Sequence, residues 1–136
     1  MKTVFADTGY WAALLNPKDQ LHEKAGQVST TLGKFRILTT EMVLDELLSA
    51  LSKVPLRSFA IRGVEAIRSN PNVEVVPQTS LQFVSAFESY RSMSDKEWSL
   101  TDCASFVLMR ERGLTVALAH DHHFKQAGFV ALLRGE

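Results

Sequence analysis

The sequence predicts an α/β fold in which helices cover both faces of a parallel sheet. Short, apolar, strand-like runs alternate with helix-like segments along the whole chain. This alternation is typical of βαβ units, whose strands lie parallel in one sheet. No linker, low-complexity tract or internal repeat interrupts the 136 residues, and this length is enough for one hydrophobic core. We therefore expect a single domain that spans residues 1–136.

The sequence predicts five strands and seven helices. The predicted strands are residues 2–6, 35–38, 73–76, 114–119 and 129–132. The predicted helices are residues 8–15, 19–32, 40–52, 55–68, 80–91, 99–112 and 121–126.

Caps and helix breakers bound the elements in the first half of the chain. Asn16-Pro17 stops the first helix, and Asp19 and Gly33 are suitable residues to begin and end the second helix. Thr39 or Thr40 caps the third helix.

The second half carries equally clear boundary signals. Pro55 can open the fourth helix, and Asn70-Pro71 ends it before the third strand. Ser99 and Asp102 form an S-x-x-D start for the longest apolar helix, and Gly113 supplies its stop. The fourth strand follows this glycine directly, so strand and helix alternate up to the end of the chain.

Composition excludes several classes of protein. Hydrophobic residues make up 46% of the chain and charged residues 22%, as in an ordinary globular domain. Fifteen basic and fifteen acidic residues cancel, so any contact with nucleic acid must depend on a local basic patch. The single Cys103 cannot form an internal disulfide and is expected to be a core residue, which fits the cytoplasm. No apolar run approaches the roughly 18 residues of a membrane span, so we expect no contact with a membrane.

Four acidic residues occupy positions that can meet at one edge of the predicted sheet. Asp7 and Asp121 follow the first and fourth strands, Asp102 opens a helix, and Glu46 lies on another. In parallel α/β sheets, ligands gather at the carboxyl ends of the strands. Buried carboxylates are costly without a cation, and oxygen ligands from several segments suit Mg²⁺ or Mn²⁺.

Each of these acids also has a structural explanation. Asp7, Asp102 and Asp121 could each cap a helix, and Glu46 could be a solvated helix residue. Asp45, one position earlier than Glu46, competes with it for the middle-helix role. One shared site explains the four acids more economically than four separate explanations.

A metal-binding acidic cluster of this kind can hydrolyse phosphodiesters. A divalent cation acts as a Lewis acid and lowers the pKa of bound water, while a spare carboxylate orients water or acts as general base. Thr8 and Thr101 flank two of the acids and are candidate substrate ligands. His122 is a candidate phosphate contact, although His120, His122 and His123 together could instead indicate Zn²⁺.

Other residues near the acids are expected to have structural roles. Tyr10, Trp11 and Trp98 could stack nucleic-acid bases, but core packing is the favoured interpretation. Asp95 and Glu97 precede Asp102 and are expected to lie in a surface loop rather than at the metal site.

Four segments resemble the PIN-domain family of metal-dependent ribonucleases, which includes the VapC-type toxins of prokaryotic toxin–antitoxin pairs. The segments are V-F-A-D-T at 4–8, T-T-E-M-V-L-D-E-L-L at 39–48, S-L-T-D-C-A-S-F-V-L-M-R-E-R-G at 99–113 and A-L-A-H-D-H-H-F-K-Q-A-G-F at 117–129. They follow the order and spacing of the family from end to end. The ordered set is much more specific than any one segment.

The resemblance implies a complete set of functional properties. It implies that Asp7, Glu46, Asp102 and Asp121 are the catalytic and metal-binding residues, because the V-L-x-E spacing selects Glu46 over Asp45. It also implies a three-layer α/β/α sandwich with a five-stranded parallel sheet, Mg²⁺ or Mn²⁺ as cofactor, and RNA as substrate. An antitoxin partner and a homodimer are further implications.

Two other functions compete with the nuclease. A non-catalytic PIN-fold module could bind nucleic acid or protein, but the presence of all four acids argues against lost catalysis. A phosphoryl-accepting receiver domain also clusters acids at strand ends. It would have paired acids after the first strand, where this chain has Asp7 alone.

Overall fold

The computed structural model describes residues 1–134 and contains a five-stranded sheet in which every pair of neighbouring strands is parallel. The strands are β1 (Lys2–Ala6), β2 (Phe35–Thr40), β3 (Val73–Val76), β4 (Val116–Leu118) and β5 (Val130–Ala131). The helices are α1 (Thr8–Leu15), α2 (His22–Thr31), α3 (Glu41–Ala50), α4 (Leu56–Ser69), α5 (Ser80–Ser92), α6 (Leu100–Glu111) and α7 (His122–Gln126), and a 3₁₀ turn covers Leu132–Arg134. Residues 135–136, the end of the predicted domain, lie outside the described part.

The strand order β3-β2-β1-β4-β5 places the first strand at the centre of the sheet. The chain moves outward from β1 through β2 to β3, and then crosses to the other side of β1 for β4 and β5. A cleft forms where the order switches, above the carboxyl ends of β1 and β4. The Asp7 N–H donates to the Leu118 carbonyl at 3.1 Å, so the pairing of these two strands extends to the first residue of the cleft.

Helices cover the sheet on both faces, as predicted. Adjacent side chains of a strand point to opposite faces, and Val4, Phe5 and Ala6 of β1 are all completely buried. On α6, Phe106 is also completely buried and packs edge-on against both Trp98 and Phe124. Burying one such aromatic side chain contributes about 1.5–3 kcal/mol to stability. The three-layer α/β/α sandwich is confirmed.

Some element boundaries differ from the prediction for local reasons. The second helix begins at His22 rather than at residue 19, because the Asp19 side chain accepts from the Leu21 N–H and forms a separate turn. Thr40 caps α3 through the Val43 N–H, whereas the Thr39 hydroxyl donates to the Ala6 carbonyl. The structure therefore decides between the two candidate caps.

The last two strands are shorter than predicted. Strand β4 covers three residues and β5 only two, and the chain then turns into the 3₁₀ segment. Within residues 1–134, none of the helices has the length and apolar character needed to cross a membrane.

Candidate active site

The structure places the four predicted acids along one cleft at the carboxyl edge of the sheet. The cleft has a volume of about 570 Å³. Its walls are formed by Asp7, Thr8, Gly9, Leu21, Glu46, Glu97, Ser99, Asp102, His120, Asp121 and His123. Lysine and arginine are absent from these described lining residues, so the cleft concentrates negative charge with only histidines to offset it.

Asp7 is the most strongly perturbed acid of the cleft. It is only 7% exposed, and burial raises its pKa from 3.8 to about 7. A hydrogen bond from the Thr8 N–H partly opposes this effect, while the charges of Asp102, Glu46 and Asp121 raise the pKa further. Its side chain makes no capping hydrogen bond to α1, so a helix cap does not explain its position.

Asp102 combines a structural role with its position in the cleft. Its Oδ2 accepts from the Ser99 N–H at 3.1 Å, and the Ser99 hydroxyl accepts from the Asp102 N–H at 3.0 Å. The two residues thus form the capping box of α6. Burial raises the pKa of the Asp102 carboxyl, although the Ser99 and His123 hydrogen bonds act in the opposite direction. Capping and participation in a shared site are therefore compatible here.

His123 links Asp102 to Asp121. Its Nδ1 lies 3.0 Å from Asp102 Oδ2 and 3.1 Å from Asp121 Oδ1, and its ring is largely buried. Asp121 Oδ1 also accepts from the His123 N–H at 2.9 Å and so caps α7. The sequence analysis did not single out this histidine as a link. The D-x-H spacing at a helix start was the available signal.

The neighbouring histidine, His122, lies outside the cleft lining. Its side chain is 61% exposed, and its Nδ1 is 3.5 Å from Asp121 Oδ1. Ligand atoms of Asp121, His122 and His123 all lie within 4.8 Å of one another. This spacing also suits a cation with imidazole ligands, the Zn²⁺ alternative raised by the sequence.

Glu46 rather than Asp45 faces the cleft. The Thr8 hydroxyl donates to Glu46 Oε1 at 2.6 Å, which joins the start of α1 to α3. Asp45 lines a separate small groove with Gln78 and Thr101, and Glu46 stands between this groove and the cleft. Of the predicted substrate ligands, Thr8 therefore lines the cleft, whereas Thr101 lies in the adjoining groove.

Glu97 is the acid that the sequence analysis placed elsewhere. It is exposed, as a loop residue should be, but it also lines the cleft. The prediction of a surface loop is therefore confirmed, but Glu97 also borders the acidic cleft, which was the less favoured of its two interpretations.

The aromatic residues near the acids belong to the core, as predicted. Tyr10, Trp11 and Trp98 are 2%, 6% and 6% exposed. The Trp98 indole donates to Gln126 Oε1 at 3.0 Å, so its polar edge is satisfied as well. Cys103 is also buried, and burial raises the pKa of its thiol, as expected for an unreactive core residue.

Comparison with known proteins relates this geometry to a family. The sequence profile of the PIN domain matches residues 4–130. The chain is 32% identical over 127 residues to the 23S rRNA-specific endonuclease VapC20 of Mycobacterium tuberculosis, and the match covers 93% of this chain and 95% of that protein. The crystal structure of VapC20, a toxin that cleaves the sarcin–ricin loop, superposes with a TM-score of 0.85 at 31% identity and covers 93% of this chain and 96% of that one.

Two more distant structures share the fold. VapBC2 from Rickettsia felis, solved with a DNA fragment from its promoter, gives a TM-score of 0.66 at 11% identity, with 95% of this chain and 96% of that chain covered. FitAcB from Neisseria gonorrhoeae gives 0.58 at 15% identity, with 94% of each chain covered. Identities this low show the common architecture alone. The profile match and the similarity to VapC20 together show that this chain belongs to the PIN-domain family, among its VapC-like members.

Proposed function

We propose that the protein is a metal-dependent endoribonuclease and the toxin of a type II toxin–antitoxin pair. One observation carries the proposal: the four predicted carboxylates, together with Glu97, line one cleft that contains no lysine or arginine among its described residues. Asp7 and Asp102 are both 7% exposed, so solvent cannot fully relieve their mutual repulsion. A bound divalent cation would relieve it.

The relatives support RNA as the substrate. VapC20 is named as an endonuclease specific for 23S rRNA, and the match covers almost the whole of both chains. The shared length supports a shared reaction on RNA. The choice of a particular RNA is a separate property, because it depends on the surfaces around the cleft.

The four acids supply the oxygen ligands that Mg²⁺ or Mn²⁺ prefers. We assign Asp7, Glu46, Asp102 and Asp121 to the cation, with several water ligands retained, as is usual for Mg²⁺. When bound, the cation supplies Lewis-acid chemistry and a more acidic water. The raised pKa of Asp7 fits this role, because a buried anion awaiting a cation takes up a proton in its absence.

The residues around the ligands would orient them and the RNA. The Thr8 hydroxyl already donates to Glu46, so its role is to hold that ligand in place. His123 holds Asp102 and Asp121 together in the same way. We assign contacts with RNA to Thr101, which lines a groove with Glu46, and to the exposed His122 beside Asp121.

The remaining expectations follow from the resemblance to VapC-type toxins. They are an antitoxin partner, a homodimer and a cytoplasmic location, and they stay predictions. A VapC-type toxin needs an antitoxin in the same compartment to keep its nuclease inactive.

The test compares two carboxylates at opposite edges of the sheet. Total RNA is incubated with wild type, Asp7→Asn and Glu74→Gln, each with Mg²⁺, with Mn²⁺ or with EDTA. Wild type and Glu74→Gln should cleave RNA only with a divalent cation. Asp7→Asn should lose activity by about a thousandfold, since it removes a charged ligand from the reaction site.

Two results would contradict the proposal. Cleavage by Asp7→Asn at the wild-type rate would show that this cluster is not the reaction site. RNA binding without cleavage under every divalent cation would favour the alternative, a non-catalytic PIN-fold binding module.

A further inference from the structure

A second groove adjoins the acidic cleft and has a different chemical character. Its volume is about 520 Å³, and Glu97 and Ser99 line both spaces. We call it the aromatic groove; its lining includes Phe87, Tyr90, Arg91, Lys96, Glu97 and Ser99. The groove and the cleft are therefore neighbours along this shared wall.

Two exposed rings dominate the aromatic groove. Phe87 is 49% and Tyr90 50% exposed, which is unusual for large aromatic side chains. The Phe87 ring is parallel to that of Phe83, with centroids 6.2 Å apart and 3° between the planes. The spacing of residues 83, 87 and 90 places all three rings on one face of α5. The buried Trp98 also lines the aromatic groove.

Two cations at the rim are available to an incoming anion. Arg91 forms an ion pair with Glu88, and Lys96 forms one with Asp95. The Lys96 side chain is 32% exposed, and the other three side chains are largely exposed. Exposed ion pairs of this kind contribute little to stability, so either cation can move to a phosphate at small cost. Aromatic side chains beside cations are the combination that binds single-stranded nucleic acid, with bases stacked on the rings and the backbone held by the cations.

We propose that the aromatic groove binds an unpaired nucleotide next to the phosphate held in the acidic cleft. Its base stacks on Tyr90 and Phe87, and its phosphate contacts Arg91 or Lys96. The base must be unpaired, because bases within an A-form helix already stack on their neighbours. The proposal rests on the proposed function and extends it: the aromatic groove is a base-stacking site beside the acidic cleft.

The first test separates binding in the groove from chemistry in the cleft. Cleavage kinetics on a short single-stranded RNA are measured for wild type, Tyr90→Ala, Tyr90→Phe and Val84→Ala. Tyr90→Ala should raise KM about 5- to 150-fold, the range that a loss of roughly 1–3 kcal/mol of stacking gives. The kcat value should stay unchanged, because stacking on Tyr90 stabilises the bound ground state and the transition state equally. Tyr90→Phe keeps the ring and should restore KM.

Val84 provides the matched control. It lies on the same helix and is 61% exposed, but it does not line the aromatic groove. Val84→Ala should therefore leave KM and kcat unchanged. An RNA with one abasic nucleotide should bind wild type and Tyr90→Ala equally, because the base that stacks on Tyr90 is then missing.

A second test does not depend on cleavage. Fluorescence anisotropy of a labelled single-stranded RNA in EDTA measures binding for the same variants and for Arg91→Gln and Lys96→Gln. Tyr90→Ala should bind more weakly, and one of the two charge variants should reduce the slope of log K against log salt by about 0.7. A wild type that never cuts RNA but shows these differences would refute the proposed function and keep the groove as an RNA site.

Two outcomes would overturn the inference. The first is RNA binding and KM at wild-type values in Tyr90→Ala. The second is that Tyr90→Ala and Val84→Ala both convert a dimer into a monomer in analytical ultracentrifugation and lose RNA affinity together. This outcome would assign the exposed face of α5 to contact between two copies of the chain.

Discussion

The two edges of the sheet treat carboxylates in opposite ways. At the amino edge, Glu74 forms a bidentate ion pair with Arg112 at 2.9 and 3.0 Å, and Arg36 lies nearby. The hydrogen bonds from Arg112 lower the pKa of Glu74. At the carboxyl edge, burial and neighbouring carboxylates raise the pKa of Asp7 to about 7.

This contrast supports the proposed reaction site without reference to any relative. The same chain places an arginine beside Glu74 and places none beside Asp7 or Asp102 in the described cleft. Unpaired buried anions reduce the free energy of unfolding, so their concentration at one edge calls for an external cation. A domain selected only for stability would distribute these charges as it does at the amino edge.

The largest expected effect concerns stability in the absence of metal. Burial raises the pKa of Asp7 to about 7 in the folded state, against 3.8 for an unperturbed aspartate. Between these values the folded state holds a proton that the unfolded state has lost. Wild-type stability should therefore fall as pH rises from about 4 to 7 and then level off. Asp7→Asn lacks this loss and should be more stable than wild type at pH 8, by up to about 4 kcal/mol.

Urea unfolding in EDTA at several pH values between 5 and 8 measures this difference. Saturating Mn²⁺ is the control. A cation at a hundred times its Kd should stabilise wild type by about 2.7 kcal/mol and Asp7→Asn by less. If Asp7→Asn is less stable than wild type at every pH, the Asp7 carboxylate does not destabilise the folded state, and the contrast between the carboxylates of the two edges is wrong.

The second effect concerns the hydrogen bond that orients Glu46. Thr8→Val keeps the shape of the side chain and removes the 2.6 Å hydrogen bond to Glu46 Oε1. The cation should bind roughly tenfold more weakly, the size of effect seen for groups that support metal ligands. Isothermal titration with Mn²⁺ measures the change. Thr8→Ser keeps the hydroxyl and should bind Mn²⁺ as wild type does; equal affinity in Thr8→Val would show that Glu46 needs no support.

The smallest effect is expected at the amino edge. Glu74→Gln removes an exposed ion pair and should lower stability at pH 7 by about 0.2–1 kcal/mol. The contribution of Glu74 to the free energy of unfolding depends on pH in the opposite direction to that of Asp7. Because the pKa of Glu74 is lowered, the pair stabilises above the unfolded-state pKa and loses this effect as pH falls through the lower folded-state value. Thermal unfolding at pH 7 and pH 3 should show the difference shrinking in acid; a difference that grows in acid would contradict it.

Much of the fold follows from local signals in the sequence. The five strands and seven helices were predicted, and the Ser99–Asp102 capping box confirms the start of α6. Such signals succeed because the hydrogen bonds involved join residues only three positions apart. Two of the boundaries that differ from the prediction, at α2 and β5, lie where a side-chain turn or a late 3₁₀ turn replaces regular structure.

The sequence by itself determined the α/β alternation, the capping box of α6 and the positions of Asp7 and Asp121 after their strands, because all of these depend on neighbours along the chain. Helix periodicity left Asp45 and Glu46 open, and the tertiary structure turns Glu46 to the cleft, since adjacent helical residues point about 100° apart and the packing of α3 against α1 sets their direction. The tertiary structure also decided that His123 joins two carboxylates and that Glu97 lies beside them. Contacts such as Thr8 to Glu46, which are 38 residues apart, arise from how the layers stack, and no local pattern encodes that distance.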